Sequence, residues 1–314
     1  MRSLTPRERL TEQYLYGMRE VFREYCNLPA SVVFLGRFQH GLDIIDVEGS
    51  HPFRPWGIRA LPQWTWAKAS EERARDSSVP KVTAIGSAWL YQLSIEGTEA
   101  FPSRLVQNGP DSALFIPIHG DEYREPFSYV PQPDFITTLD ELRVTEVLLH
   151  GFDFLSRRDR DGWLSNGITP TCAGWPRLPP PPFHPDDDMG DRTRFLSNLS
   201  TIMRRHSRIV TNGMGSHVLY ANSLGLDVLV LPPPPLPPSR SRLAPTHERI
   251  REEIELRHWN YLESFVLHDH DLSTSWEVRS TDFDLLRGAS EALLGRSCIK
   301  SKDDLMSTLK WRVD

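Results

Sequence analysis

Six short apolar runs set the limits on what this chain can become. They are SVVFLGRF at 31–38, KVTAI at 81–85, ALFIPI at 113–118, TEVLL at 145–149, RIVT at 208–211 and DVLVL at 227–231. Most are continuous rather than alternating. A strand with one wet face alternates polar and apolar residues. A continuous run is expected where both faces are covered, as in a parallel sheet with helices on either side. Helical patterns fill the intervals. Residues 6–25 carry Leu10, Tyr14, Met18, Val21, Phe22 and Tyr25 at helical spacing, which reads as a surface helix on a core. Residues 192–206 and 215–224 read as helices, and 71–74 as a short one. The alternation predicts an α/β architecture. Beyond Ala244 the chain reads as charged and helical, at 246–268, 282–294 and 302–311, and no internal repeat is present.

Composition narrows the class. The chain has 314 residues, 39% apolar and 25% charged, enough for a real core in one large or two ordinary domains. Its net charge of -6 argues against bulk nucleic-acid binding. The three cysteines, Cys26, Cys172 and Cys298, are odd in number and far apart, with no metal spacing; a reducing cytoplasm is expected. The start MRSLTPRERL has no apolar signal segment, and no stretch reaches the ~20 apolar residues of a spanning helix. Work on membrane-bound material is then expected from the surface.

The runs end alike: His40-Gly41, Gly86-Ser87, His119-Gly120, His150-Gly151 and Asn212-Gly213. Ligands of open α/β sheets bind outside the carboxyl ends of the strands, and glycine lets backbone turn sharply or approach a ligand. Each pair taken alone is equally a tight turn. Two proline-rich stretches, 178–185 and 231–238, read as stiff connectors, with partner binding as the alternative. Asp186, Asp187 and Asp188 read as a solvated loop.

Residues 208–231 carry the most chemistry: RIVTNGMGSHVLYANSLGLDVLVL. They read as strand, polar turn, helix, glycine stop and strand. Thr211 and Asn212 close the first strand, Gly213 and Gly215 let the chain bend, Ser216 and His217 open the helix, and Gly225 ends it. Unpaired N–H groups and a partial positive charge make such a turn a phosphate site. In the plain structural alternative, Ser216 is simply the N-cap of a βαβ turn. No Gly-Lys-Ser/Thr follows, and the G-x-G-x-x-G dinucleotide pattern is absent. No G-x-S-x-G, H-E-x-x-H or EF-hand pattern occurs.

This segment resembles the donor-binding turn of GT-B glycosyltransferases of bacterial surface-polysaccharide (capsule and O-antigen) biosynthesis. Thr211, Asn212, Gly215, Ser216, Tyr220, Ala221, Leu224, Gly225 and Val228 match its pattern. Gln39-His40-Gly41 resembles a Q-H-G turn of the first domain, residues 85–91 an I-G-[AS]-P-[FW]-L-Y motif, and residues 116–120 an F-P-x-H-[SG] motif. The resemblance covers 31–231 in scattered blocks. Ala88 stands where the family often has proline, the proline-rich insert before Arg192 is unusual, and the chain is short for the family.

The resemblance implies two Rossmann-like domains facing across a cleft: residues 1–104 on the acceptor side, 105–240 on the donor side, and C-terminal helices from 241–314 packing on both. It implies a metal-independent sugar transfer from a nucleotide-sugar donor to a glycan or lipid-linked glycan acceptor, without a further cofactor. The expected cellular site is the cytoplasm, at the inner face of the membrane. Thr211, Asn212, Gly215, Ser216, His217 and Tyr220 would bind the donor, with His119 and Asp153 on phosphate, base or ribose. His40 is the preferred base for the acceptor hydroxyl, with Asp43 as the other candidate. Gly41, Gly86 and Ser87 would line the cleft. The rivals are a nucleotide-sugar epimerase or hydrolase, and a non-catalytic scaffold that binds partners through its proline-rich segments.

Overall fold

A computed structural model of the protein describes residues 16–39, 62–76, 81–102, 111–117, 133–155, 157–174, 194–232, 256–267 and 277–313. The chain is mixed α/β. Its eleven described strands are β1 Val32–Phe34, β2 Arg37–Phe38, β3 Gln63–Thr65, β4 Val82–Ala84, β5 Ala113–Ile116, β6 Val144–Leu148, β7 Thr169–Thr171, β8 Arg208–Thr211, β9 Asp227–Val230, β10 Arg279–Ser280 and β11 Trp311–Val313. The largest sheet has six strands in the order β10-β9-β8-β5-β6-β7. All its pairs are parallel except β10 with β9.

The continuous apolar runs have the cause expected of them. Successive strand residues point to opposite faces. Leu114 and Ile116 of β5 enter one core and Ala113 and Phe115 the other. Ile209 and Val210 of β8 divide in the same way, as do Val228 and Leu229 of β9. On the first face lie the helices Phe195–Met203 and Ser216–Ser223. On the second, Phe135 of the helix Pro133–Glu141 and Trp163 of the helix Arg157–Ser165 pack on Phe115, with ring centroids 5.5 and 5.8 Å away. With neither face wet, the buried positions of these strands are apolar apart from Thr211, whose hydroxyl donates to the Ile116 carbonyl.

A smaller parallel sheet, β2-β3-β4, lies in the first third of the chain. The run at 31–38, read as one strand, is two. Val32–Phe34 pairs antiparallel with β11 from the far end of the chain, whereas Arg37–Phe38 joins β3. The break is at Gly36, where a Cβ would stand 2.4 Å from the Trp64 ring, so only glycine lets strand and indole meet. The helix Ala88–Ile95 connects this sheet to the larger one. Trp89 stacks on Tyr220 at 4.4 Å and donates from its indole N–H to Ser223 Oγ at 2.7 Å. One apolar core runs from Phe22 and Trp64 through Trp89 to Ile209 and Val228. The C-terminal segment adds β10 to the large sheet and β11 to β1, and its helix Phe283–Leu293 opens at the capping carboxylate of Asp282.

Beside the start of β8, His206 is 6% exposed, with Nδ1 3.2 Å from Ser112 Oγ. Burial, and then the Arg205 guanidinium, push its pKa down from 6.5 to about 4. Glu146 lies 3.8 Å from the ring, but its carboxylate already pairs with Arg205 at 2.6 Å and does not rescue the imidazolium. The unfolded chain therefore binds a proton between pH 6.5 and 4 that the folded chain refuses. Stability is complete above pH 6.5 and falls as the pH drops towards 4, by about 3 kcal/mol from this group. Denaturant midpoints across that range, with an NMR titration of His206, check this; a His206 midpoint near 6.5 in the folded protein contradicts it.

Candidate functional site

The five parallel strands of the large sheet end on one edge. The chain runs outward from β5 through β6 to β7, then returns to the other side of β5 for β8 and β9. The strand order therefore reverses between β5 and β8, and the crevice outside such a reversal is where open α/β sheets bind ligands. Ile116 of β5 and Thr211 of β8 are partners across that gap. The turn at 211–217 stands directly beyond it.

Thr211 and Asn212 are buried, with 0% and 1% exposure. Thr211 Oγ1 lies 2.9 Å from the Ile116 carbonyl oxygen, 3.0 Å from that of Gly213 and 3.0 Å from His217 Nε2. The helix begins at Ser216, and its N-cap is Gly215, not Ser216 as the plain reading of the sequence had it. Gly215 is in extended backbone (φ -156°, ψ 178°), and no side chain caps the helix. Ser216 already stands inside the first turn, one helical turn before Tyr220. The first N–H groups of a helix lack intrahelical acceptors, so this uncapped end is suited to an anion. The His217 ring folds back over Gly215: a Cβ at 215 would meet Nδ1 at 2.8 Å.

The neighbouring strand ends add polar groups. His150 and Gly151 follow β6, and Asp153 lies 7% exposed in the short helix Gly151–Leu155. Cys172 follows β7, where its Sγ accepts from the Gly174 N–H at 3.3 Å. Burial, and secondarily the Asp153 carboxylate, push this thiol up to about 11. It is a neutral thiol at physiological pH and no nucleophile. All three cysteines are free. Among the described residues no cluster of three or more His, Cys, Asp or Glu side chains could hold a metal ion, and no helix is long and apolar enough to cross a membrane.

The expected site residues therefore fall into groups. Thr211, Asn212, Gly215, Ser216 and His217 share one turn at the switch point. Tyr220 lies one helical turn further on, 8% exposed, with its ring against Trp89 in the core between the sheets; burial pushes its phenol pKa well up. Asp153 follows β6, the strand beside β5. Gly86 and Ser87 end β4 in the other sheet, buried beneath the turn that follows the helix Phe283–Leu293. The Ser87 N–H donates to the Leu294 carbonyl at 2.9 Å, and a Cβ on Gly86 would meet Ile299 at 3.2 Å. His40, Gly41, Asp43 and His119 lie outside the described residues. Two features escaped the reading of the sequence: the Thr211–His217 contact and the Leu294–Ile299 cover. The first has the signal of two polar residues flanking a glycine turn; the second has none, because its parts are some 200 positions apart. Comparison with protein-family models, curated proteins and solved structures finds no match to the chain.

Proposed function

We propose that the chain is a glycosyltransferase, which moves a sugar from a nucleotide-sugar donor to a glycan or lipid-linked glycan acceptor in surface-polysaccharide assembly. The observation that carries this reading is the coincidence of the uncapped, glycine-opened helix N-terminus at Gly215 with the β5–β8 switch point. In the transfer, the acceptor hydroxyl attacks the anomeric carbon while the bond to the donor phosphate breaks. Negative charge grows on the departing phosphate oxygen. Helix N–H groups and the His217 ring face that charge and stabilise it without reorganising. The hydroxyl proton goes to His40, or to Asp43 in the alternative assignment. The work is done in the cytoplasm at the inner face of the membrane, where lipid-linked acceptors are exposed.

The test is thermal stabilisation by CMP-, UDP-, GDP- and TDP-sugars. A ligand that binds only the folded state stabilises it by about 2.7 kcal/mol at a hundredfold excess over Kd. One donor class is expected to raise the melting temperature, and its hydrolysis or transfer to require acceptor. No stabilisation by any donor at high concentration would sink the transferase reading. Donor breakdown without acceptor would turn it towards a hydrolase or epimerase.

A further inference from the structure

The two-stranded sheet of β1 and β11 ends on β11. In an antiparallel pair, opposed residues alternate between bonding each other and turning their N–H and C=O groups away. Val32 and Val313 are opposed. The Val32 N–H donates to the Pro29 carbonyl at 3.1 Å, and the Val32 carbonyl accepts from Arg19 Nε at 3.0 Å. Both Val32 groups therefore point away from β11. Just past β1, the Leu35 N–H donates to the Lys310 carbonyl at 2.6 Å, which is the bonded kind of pair. The alternation then turns the N–H and C=O groups of Trp311 and Val313 outward. Among the described residues, nothing bonds these four groups.

The side chains follow the same alternation. Val32 and Phe34 are 0% exposed and belong to the core. Trp311 and Val313 lie across from them on the same face, but are 38% and 56% exposed. The apolar face thus runs past the core to an open edge, where a further strand can pair. Lys310 and Arg312 alternate with Trp311 and Val313, so they line the opposite face, and both are exposed.

We propose that β11 is a docking edge for an extended segment of a partner protein, one that alternates apolar and acidic residues and pairs antiparallel to β11. Its backbone bonds Trp311 and Val313. Its apolar side chains continue the face of Val32 and Phe34 over Trp311 and Val313. Its carboxylates lie across from Lys310 and Arg312, where opposite charges on facing strands attract. Strand addition of this kind takes affinity from the main chain and specificity from alternate side chains. A second copy of the chain fits less well. Pairing Trp311 with Val313 of another β11 sets Arg312 against Arg312, and like charges on facing strands repel.

The experiment is fluorescence anisotropy of the labelled peptide Val-Glu-Val-Glu-Val-Glu-Val with the full-length protein, joined to amide hydrogen exchange. Binding is expected to slow exchange at the Trp311 and Val313 amides. Val313→Pro deletes an outward N–H and leaves the pairing with β1 intact. It weakens binding about tenfold, the worth of one peptide carbonyl left unmet. Lys310→Glu keeps the backbone edge, and serves if the proline variant folds poorly. It loses the wild type's preference for this peptide over the same peptide with lysine in place of glutamate. Unslowed exchange at both amides, undiminished binding by Val313→Pro, or equal binding of the two peptides by the wild type overturns the proposal. So does a wild-type dimer in sedimentation that Val313→Pro dissolves, because a second copy then holds the edge.

Discussion

An alanine at position 295 leaves no cooperatively folded protein, or one weaker than the wild type by more than about 4 kcal/mol. Gly295 follows the helix Phe283–Leu293 with φ +70°. Its Cβ would stand 1.8 Å from the carbonyl oxygen of Trp66 and 2.6 Å from its carbon. Both are backbone atoms, so no side chain can swing aside. Trp66 is held in turn: its carbonyl accepts from the Gly86 N–H at 3.0 Å, and its own N–H and indole N–H donate to Gln39 at 2.9 and 3.0 Å. Relief therefore means lifting the C-terminal turn off the end of β3 and β4, which also breaks the contact between the Ser87 N–H and Leu294. Gly97→Ala separates the clash from the dihedral. Gly97 has φ +65° and nothing within 4 Å of an added Cβ, so it loses only the ~1 kcal/mol of a left-handed alanine. Urea unfolding of the two variants decides the matter, and equal losses would mean that the turn does not press on Trp66.

Trp89→Ala is the second large effect, a loss of about 3–5 kcal/mol. Trp89 is 0% exposed. Its ring lies at 16° to that of Tyr220, and its N–H reaches Ser223 on the same helix. The truncation opens a cavity between the two sheets, where no surface loop can collapse to fill it. Trp89→Phe keeps most of the stack, loses the hydrogen bond and some volume, and is expected to lose about 1–2 kcal/mol. Because the core is continuous across this contact, the wild type should unfold in one transition by every probe. A Trp89→Ala loss below about 1 kcal/mol would show that the two sheets do not share their stability here. The same helix carries the proposed phosphate site at one end and Tyr220 and Ser223 on its packed face, so a donor bound at Gly215 should partly restore the melting temperature of the alanine variant.

Much of the large sheet was legible because its strands obey a local rule. Residues 113–116, 209–210 and 228–231 are apolar at successive positions, and a strand covered on both faces calls for that. β3 and β7 were not legible. Gln63-Trp64-Thr65 and Thr169-Pro170-Thr171 are three residues each and carry polar side chains. Pro170 argues against a central strand, and β7 indeed stands at the edge of the sheet, where a missing N–H does no harm. At the candidate site, the order strand, glycine turn, helix was readable, but the cap was not. Serine is the better capping residue by type, yet Gly215 takes the position and Ser216 stands inside the first turn.

The sequence by itself determined the α/β class, the main parallel strands and the glycine turn at 211–217, since periodicity and backbone freedom are properties of neighbouring residues. Only the tertiary structure decided the strand order that makes this turn a switch point, the burial of Gly86 and Ser87 under residues 294–299, the turning of Tyr220 into the core, and the contact of Thr211 with His217. Each of these depends on which distant surfaces meet. Burial free energy rewards any apolar surface in the same way, so the choice among partners rests on shape and hydrogen-bond complementarity that appears only once the chain has closed on itself.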